Sequence, residues 1–227
     1  MTQHIVGGVP QVLDAESFSR LFNVSRETMK HLLTYEQMLC KWQESINLVS
    51  TATLPDLWKR HFLDSAQLVA LAPEDARLWV DLGCGGGFPG LVIAILLADR
   101  PGFHMHLVES DQRKCVFLRE VARLTSAPVT VHARRIEQFT ASNPFGDKGR
   151  VADVVSARAL ASLDKLLDWS APLFGPSTIG LFLKGQRLPD ELTLARKNWI
   201  FEEEIFPSRS DEAGAILKLR GLHGSAR

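Results

Sequence analysis

The sequence has few of the features that mark membrane-spanning, secreted or metal-binding chains. Its 227 residues include three cysteines, Cys40, Cys84 and Cys115, an odd number without paired spacing. That count argues against a disulfide framework or a zinc site and suits a reducing compartment. The longest apolar run, residues 91–98, is far too short for a bilayer, and the N-terminus lacks the pattern of a secretory signal. We therefore expect a cytoplasmic protein without a membrane contact or a bound metal.

The chain also lacks an excess of charge of either sign. Its 26 Lys and Arg residues balance 26 Asp and Glu residues. Nucleic-acid-binding proteins are often strongly basic, so this balance argues mildly against one, although a basic face can lie opposite an acidic one. The length fits one core domain with an appendage, or two small domains.

The first third of the chain has helical periodicity. Apolar residues recur at helical spacing over residues 18–39, and Ser25 is placed to cap a helix with Glu27 and Thr28 in its first turn. A second helix is predicted over residues 56–71, which Pro73 ends, with residues 42–55 as a connector. These features assign residues 1–72 to an N-terminal helical cap and residues 73–227 to a second domain.

Beyond Pro73, seven short runs rich in Val, Ile and Leu alternate with helical stretches. This alternation predicts an α/β fold whose mainly parallel sheet has helices on both faces. The last two runs, residues 198–207 and 214–221, have no helix between them and are predicted to form an antiparallel edge. Residues 139–150 are predicted to be a surface loop. The predicted helices cover residues 91–99, 112–124, 163–173 and 188–198.

The stretch LWVDLGCGGGFPGLVIAILLAD, residues 78–99, predicts a strand, a glycine turn and a helix. Its glycines formally match the G-x-G-x-x-G dinucleotide pattern, but an acid at the strand end and Pro89 inside the motif do not suit it. The acid-x-Gly-x-Gly pattern of Asp81, Gly83 and Gly85 instead resembles the first motif of S-adenosylmethionine-dependent methyltransferases. There the acid holds an ammonium group, directly or through water, and the glycines let the backbone approach the ligand. A turn without a ligand is the third interpretation.

Two further segments favour a nucleoside ligand. Glu109, at the end of the next predicted strand, is placed to bind both hydroxyls of a ribose, or is an exposed acid at a strand end. Ile136 and Glu137 follow the third strand, where methyltransferases often contact adenine. The start of an amphipathic helix would have the same pattern.

Seven stretches together resemble one family, the bacterial small-subunit ribosomal RNA guanine-N7 methyltransferases, also called glucose-inhibited division protein B. They are INLVS, RHFLDS, DLGCGGGFPGLVIAI, HLVESDQRKCVFL, RRIE, VVSARALASL and LFLKG, and they cover about residues 42–186. The resemblance implies a Rossmann-like class I methyltransferase fold with a seven-stranded sheet. It implies a monomer that transfers a methyl group from S-adenosyl-L-methionine, leaving S-adenosyl-L-homocysteine. The implied target is nitrogen 7 of guanine 527 in the decoding-region loop of 16S rRNA, in naked RNA, a small subunit or an assembly intermediate.

The resemblance also implies site residues, although it assigns no catalytic side chain. Cofactor contacts are expected at Asp81, Gly83, Gly85, Phe88, Glu109, Ile136, Glu137 and Arg158. RNA contacts are expected at Asn47, Arg60, His61, Asp64, Lys184 and Arg187. His61 and Asp64, three positions apart, are placed to form a hydrogen-bonded pair that faces the active site, or a contact on the helix surface, which is the commoner case. A basic face is expected from Lys59, Arg60, Arg134, Arg135, Arg158, Lys184 and Arg187.

The chemistry of guanine is compatible with what the sequence lacks. Nitrogen 7 carries a lone pair and no proton, so its methylation requires no general base. The Asn/Asp-Pro-Pro-aromatic segment typical of amino-group methylation is replaced by SARA, residues 156–159, and no cysteine is well placed for carbon-5 methylation. Other targets that need no base fit equally. The alternatives are a methyltransferase of a small molecule or protein, a catalytically silent binding protein on the same scaffold, and an NAD-dependent oxidoreductase, which Asp81 disfavours.

Overall fold

A seven-stranded sheet forms the centre of the computed structural model, which describes residues 5–6, 9–10, 14–142, 144–145 and 151–225. Two short strands, β1 (Ile5–Val6) and β2 (Val9–Pro10), pair separately near the N-terminus. The sheet strands are β3 (Leu78–Leu82), β4 (His104–Glu109), β5 (Val129–Ala133), β6 (Val154–Arg158), β7 (Ile179–Lys184), β8 (Trp199–Pro207) and β9 (Ala215–Gly224).

The strand order is β5-β4-β3-β6-β7-β9-β8. Strands β3 to β7 are parallel, while β9 pairs antiparallel with both β7 and β8. The predicted parallel sheet and its antiparallel edge are therefore confirmed. The chain builds outward from β3 to β5 and then returns to place β6 beside β3. A crevice opens at the carboxyl ends of strands where the order reverses in this way, so the site is expected beyond β3 and β6.

Helices cover both faces of the sheet, because consecutive residues of the central strands point to opposite sides. Trp79 and Val154 belong to one apolar cluster, and Val80 and Val155 belong to another on the opposite face. The helices after β3 are α4 (Gly90–Leu96), α5 (Gln112–Thr125), α6 (Ile136–Ala141), α7 (Leu163–Ser170) and α8 (Leu188–Ala195). Four of them match predicted helices. Helices α4 and α8 end about one turn early, and the last turn predicted for α7 is a 3-10 turn, Ala171–Leu173.

Helix α6 corrects the predicted surface loop. Residues 139–141 belong to this helix, which buries Ile136 and Phe139 against the sheet. The pattern of a short amphipathic helix start was visible in the sequence, but six residues contain too few helical turns for periodicity to define them. Residues 143 and 146–150 of that predicted loop lie outside the described residues.

The helical periodicity of the N-terminal part corresponds to two helices, α1 (Ala15–Phe22) and α2 (Arg26–Gln43). Asn23 ends α1 in the left-handed conformation with φ 49°. Ser25 caps α2 as predicted, because its side chain accepts a hydrogen bond from the Thr28 backbone amide. The buried side of α2 packs against α4 and α5, and its apolar residues join the cluster on that face of the sheet. The boundary after residue 72 stays a prediction.

The second predicted helix is present, but it is irregular. After a 3-10 turn, Thr51–Asp56, the chain forms a π-helical turn, Trp58–Leu63, a short α-helical turn α3, Asp64–Ala66, and a further 3-10 turn, Gln67–Leu71. We call residues 58–71 the irregular helix. Single π turns within helices are frequent at functional sites. None of the described helices is both long and apolar enough to cross a membrane.

Candidate active site

The glycine turn connects β3 to α4 through left-handed backbone. Gly83, Gly85 and Gly87 have φ values of 64°, 55° and 99°, which other residues adopt only with strain. Asp81 organises this turn from below: its Oδ2 accepts a hydrogen bond from the Gly90 amide at 2.9 Å. Its Oδ1 accepts one from the Ser156 hydroxyl at 2.7 Å, which ties β3 to β6. Asp81 therefore fixes the start of α4 and the junction of the two strands.

Asp81 does not reach the crevice surface. Its side chain is fully buried, and burial raises its pKa to about 7 against the opposing effect of the two hydrogen bonds. The direct form of the expected contact with a ligand ammonium group is therefore not open to Asp81 in this structure, and the contact through water stays a prediction. Its place one residue before the end of β3 explains the difference, because all five residues of that strand are buried.

Glu109 closes the other side of the turn. Its Oε2 accepts a hydrogen bond from the Gly85 amide at 2.9 Å, and its Oε1 accepts one from the Asp111 amide at 2.8 Å. A Cβ added to Gly85 would meet nothing nearer than the Gly83 carbonyl oxygen at 4.0 Å, so the space above Gly85 is open. A carboxylate accepts about four hydrogen bonds, which leaves Glu109 with capacity for further donors beside this space.

The remaining predicted cofactor contacts lie around this turn at different depths. Ile136 is buried and Glu137 is exposed at the start of α6, beyond the carboxyl end of β5. Leu160, which follows β6, covers Gly83 so closely that a Cβ there would clash with its side chain. Leu160 has no recognisable signal in the sequence, since only the tertiary structure brings the two segments together.

Phe88 packs in the centre of an aromatic stack. Its ring lies 5.2 Å from the ring of Tyr35, at an interplanar angle of 25°, and 5.0 Å from the Arg158 guanidinium carbon. The Tyr35 hydroxyl donates a hydrogen bond to the Gly86 carbonyl at 2.5 Å, so α2 holds the glycine turn directly. Sequence reasoning missed Tyr35, whose helical spacing among apolar residues indicates only core packing.

Arg158 joins the glycine turn to the irregular helix. Besides contacting Phe88, its guanidinium donates to the Arg60 carbonyl at 3.2 Å and to His61 Nδ1 at 2.8 Å. It also lies 3.5 Å from Asp64 Oδ2, with both side chains largely buried. The expected pair of His61 with Asp64 is wrong: each contacts Arg158 instead. The π turn and the reach of Arg158 from β6 could not be read from the i,i+3 spacing.

The protonation state of His61 follows from its partners. Arginine only donates, so Nδ1 must accept and the proton must lie on Nε2, which donates to Thr53 Oγ1 at 2.8 Å. Burial, followed by the nearby Arg158 and Arg60 charges, lowers the pKa of His61 to about 3. His61 is therefore neutral at pH 7, and both of its nitrogens are engaged.

A cavity of about 970 Å³ lies at the carboxyl ends of β6 and β7. Its walls are the irregular helix, the loop after β6, the start of α8 and the β8–β9 loop. Asp64 anchors that last loop, because it accepts hydrogen bonds from Ser210 at 2.5 Å and Ser208 at 3.3 Å. The residues that line the cavity include Thr53, Arg60, His61, Asp64, Arg158, Leu160, Lys184, Arg187, Glu191, Ser208, Ser210 and Asp211. The serines of the β8–β9 loop carried no signal in the sequence.

Some of the predicted RNA contacts are already held in ion pairs within the protein, whereas others are exposed. The Arg60 guanidinium pairs with Asp211 at 2.7 Å, and the Lys184 ammonium pairs with Glu191 at 2.5 Å. With Arg158 also engaged, three of the seven residues of the predicted basic face are held in ion pairs. Arg187 is exposed at the cavity rim, and Asn47 is exposed before the first 3-10 turn. Arg134 and Arg135 are exposed beyond β5, and Lys59 is half-buried.

Comparison of the amino-acid sequence with known protein families identifies the family of this chain. The profile described as GidB, rRNA small subunit methyltransferase G, matches residues 28–213. The chain belongs to this family. It is 70% identical over 224 residues to the ribosomal RNA small subunit methyltransferase G of Parvibaculum lavamentivorans, covering 99% of this chain and 96% of the relative. It is 54% identical over 205 residues to that of Rhodospirillum centenum, covering 90% and 89%. The predicted family is confirmed.

Solved structures agree on the fold. A mutant of MtNAS solved in complex with S-adenosylmethionine superposes with a TM-score of 0.53 at 16% identity, covering 92% of this chain and 84% of that one. A candidate O-methyltransferase from Klebsiella pneumoniae gives 0.56 at 13% identity, covering 91% and 95%. At such identities the likeness shows the fold alone. The predicted Rossmann-like class I methyltransferase fold is confirmed for this small-subunit methyltransferase family member.

Proposed function

We propose that the chain transfers a methyl group from S-adenosyl-L-methionine to nitrogen 7 of a guanine in 16S rRNA, with guanine 527 as the target. Membership of the rRNA small subunit methyltransferase G family supports the coarser activity, a ribosomal RNA methyltransferase. The observation that carries the finer proposal is that the bases lining the cavity are already engaged. A reaction in this cavity suits an acceptor atom that has no proton to lose.

Three side chains that line the cavity could act as a general base, and each is already engaged by neighbouring groups. His61 is neutral, but Arg158 and Thr53 occupy its two nitrogens. Asp64 accepts from serines of the β8–β9 loop and faces Arg158, and Glu191 pairs with Lys184. None of the cavity-lining residues is a cysteine, so a thiolate nucleophile is absent among them. Guanine nitrogen 7 needs neither group, because its lone pair lies in the ring plane.

The glycine turn fits the adenosylmethionine cofactor. The left-handed Gly85 leaves open space beside a carboxylate, Glu109, that retains acceptor capacity for ribose hydroxyls. We assign Gly83, Gly85, Phe88, Glu109, Ile136, Glu137 and Arg158 to cofactor binding, with Asp81 acting from beneath the turn. The bound cofactor would supply an electrophilic methyl group on a sulfonium. The protein aligns donor and acceptor and excludes water from the crevice.

The RNA side is assigned to the cavity and its rim. Asn47, Arg60, His61, Asp64 and Arg187 are the proposed contacts or supports, and residues 1–72 form the proposed cap that helps select an exposed loop base. The rim also has acids, because Asp211 and Glu212 lie beside Arg60. A small-molecule acceptor is the competing proposal, since ion pairs hold several of the basic residues at the site.

The test is methyl transfer from labelled cofactor to small ribosomal subunits that lack their own modifications, with the modified base mapped. A single 7-methylguanosine at position 527 is expected. Arg158→Ala should reduce this transfer more than about 100-fold. Arg123→Ala, which removes an exposed arginine on α5, should leave it unchanged. Cofactor binding without transfer to RNA would overturn the proposal and favour a small-molecule acceptor or a silent binding protein.

A further inference from the structure

We call the cavity at the carboxyl ends of β6 and β7 the acceptor cavity, because the methyl acceptor is assigned to it. The loop after β6, residues 159–162, separates the glycine turn from this cavity. All four residues line the cavity, while the Leu160 side chain covers Gly83 on the other side. Ala159 begins the loop in the left-handed region with φ 49°, which is unfavourable for a residue other than glycine. Such a conformation persists when surrounding contacts hold it, so this loop must be anchored.

Lys184 and Glu191 supply the anchors. The Lys184 ammonium donates to the Ala161 carbonyl at 3.0 Å and pairs with Glu191 Oε2 at 2.5 Å. The same Glu191 oxygen accepts a hydrogen bond from the Leu163 amide at 2.9 Å, at the first residue of α7. Ser162, in the capping position of α7, makes no side-chain cap bond, so Glu191 serves as the cap.

The pair is shielded from water. The Lys184 and Glu191 side chains are 9% and 14% exposed, and their contacts cross from the end of β7 to α8 and back to the loop. An RNA phosphate would have to displace a carboxylate that already neutralises the lysine. By contrast, Arg187, three residues further, is exposed at the rim. Lys184 and Arg187, both expected from the sequence as RNA contacts, therefore have different roles.

We propose that the Lys184–Glu191 pair positions the 159–162 loop and thereby sets the spacing between the glycine turn and the acceptor cavity for methyl transfer. Lys184 is a positioning residue that acts through the loop, not a phosphate contact. The inference rests on the proposed function for its kinetic consequence, while the anchoring of the loop is independent of the substrate.

The experiment compares Lys184→Met, Glu191→Ala, the milder Glu191→Gln and Arg187→Met in the full chain. For Lys184→Met and Glu191→Ala we expect kcat to fall about tenfold or more, because small misplacements of reacting groups are costly. Their RNA affinity and its salt dependence should not change. Arg187→Met should instead reduce the slope of log affinity against log salt by about one unit. Lys165→Met, an exposed lysine on α7, is the matched control and should leave every readout unchanged.

Two further readouts separate positioning from loss of folding. Hydrogen exchange at residues 160–163 should accelerate in Lys184→Met and Glu191→Ala but not in Lys165→Met, at temperatures where each variant is folded. The double variant should lose no more kcat than the worse single variant, because both act through one pair. Glu191→Gln, which keeps an acceptor for the Leu163 amide, should show a smaller effect.

A reduced salt slope in Lys184→Met with unchanged exchange would overturn the inference and make Lys184 a phosphate contact. Unchanged exchange together with unchanged kcat would also overturn it. If the wild-type protein transfers no methyl group to RNA, the proposed function fails. Exchange at residues 160–163 and the affinity for S-adenosylmethionine then still test whether the pair holds the loop.

Discussion

The glycine turn and the acceptor cavity lie on either side of one loop, yet they are built differently. The turn is made of backbone: its glycines adopt left-handed conformations, and carboxylates of Asp81 and Glu109 hold its amides. The cavity is made of charged side chains that hold one another, as in the pairs of Arg158 with Asp64 and of Lys184 with Glu191.

Substitutions in the two regions should therefore act in different ways. An added Cβ would clash at Gly83, Gly87 and Gly90, although not at Gly85, so substitutions at those three positions should affect both folding and cofactor affinity. Side-chain networks in the cavity tolerate conservative changes in shape but not the removal of one charged partner, because the other charge is left buried. Cofactor affinity and transfer rate should therefore respond separately in the two regions.

Removal of Arg158, which touches both regions, is expected to have the largest effect. Arg158→Ala leaves the Asp64 carboxylate unpaired and removes the donor to His61, at a cost of about 3 kcal/mol in the free energy of unfolding. We expect transfer to fall more than about 100-fold and cofactor affinity to fall as well. Urea unfolding and calorimetric titration measure the two effects. An unchanged cofactor affinity would confine Arg158 to the cavity side.

The second largest effect is expected from a methyl group added at Gly90, where the glycine turn meets α4. A Cβ at Gly90 would lie 2.7 Å from Asp81 Oδ2 and would clash with Leu107, so Gly90→Ala should destabilise the protein by about 2 kcal/mol. Cofactor affinity should weaken while RNA affinity is retained. Gly224→Ala is the control, since nothing lies within 4 Å of a Cβ there and Gly224 does not line the cavity. Equal losses in both variants would show that the turn is not specially constrained.

Tyr35→Phe tests the support that α2 gives to the turn. The variant keeps the ring stacked on Phe88 but leaves the buried Gly86 carbonyl without its donor, at a cost of about 1.5 kcal/mol. We expect a cofactor affinity several-fold weaker and an unchanged salt dependence of RNA binding. If only thermal stability changed, Tyr35 would be a core residue without influence on the turn.

The smallest effect expected at neutral pH is the pH dependence of stability that His61 contributes. Its pKa is lowered to about 3 in the folded chain, against 6.5 for the unfolded group. Between these values the unfolded state binds a proton that the native state does not, so stability is lost as the pH falls from about 6.5. Asp81, whose pKa is raised to about 7, contributes with the opposite sign in this range.

The contribution of His61 to the pH dependence of stability is measured as the difference between the wild-type protein and His61→Asn. His61→Asn keeps an acceptor near the Nδ1 position for Arg158 and removes the titration. Between pH 7 and pH 5, we expect wild-type stability to decline relative to His61→Asn by about 2 kcal/mol. Urea unfolding across this range measures it, and parallel curves for the two proteins would contradict a neutral, buried His61.

Much of the fold could be predicted because its signals are local. Alternating apolar runs indicated the seven strands, and Ser25 marked the start of α2. The irregular helix was located but not recognised as irregular, because a π turn differs from an α turn only in which carbonyl each amide contacts. Helix α6 was missed because six residues carry too little periodicity.

The family, the parallel sheet and the chemical types of the site residues could be predicted from the sequence, since they depend on residue identity and on order along the chain. Which polar groups meet depends instead on how the chain folds. The tertiary structure buried Asp81 beneath the turn, gave His61 and Asp64 to Arg158, and paired Lys184 with Glu191. Such partners come from segments far apart in sequence, and burial makes each polar group take the partner that folding brings within reach.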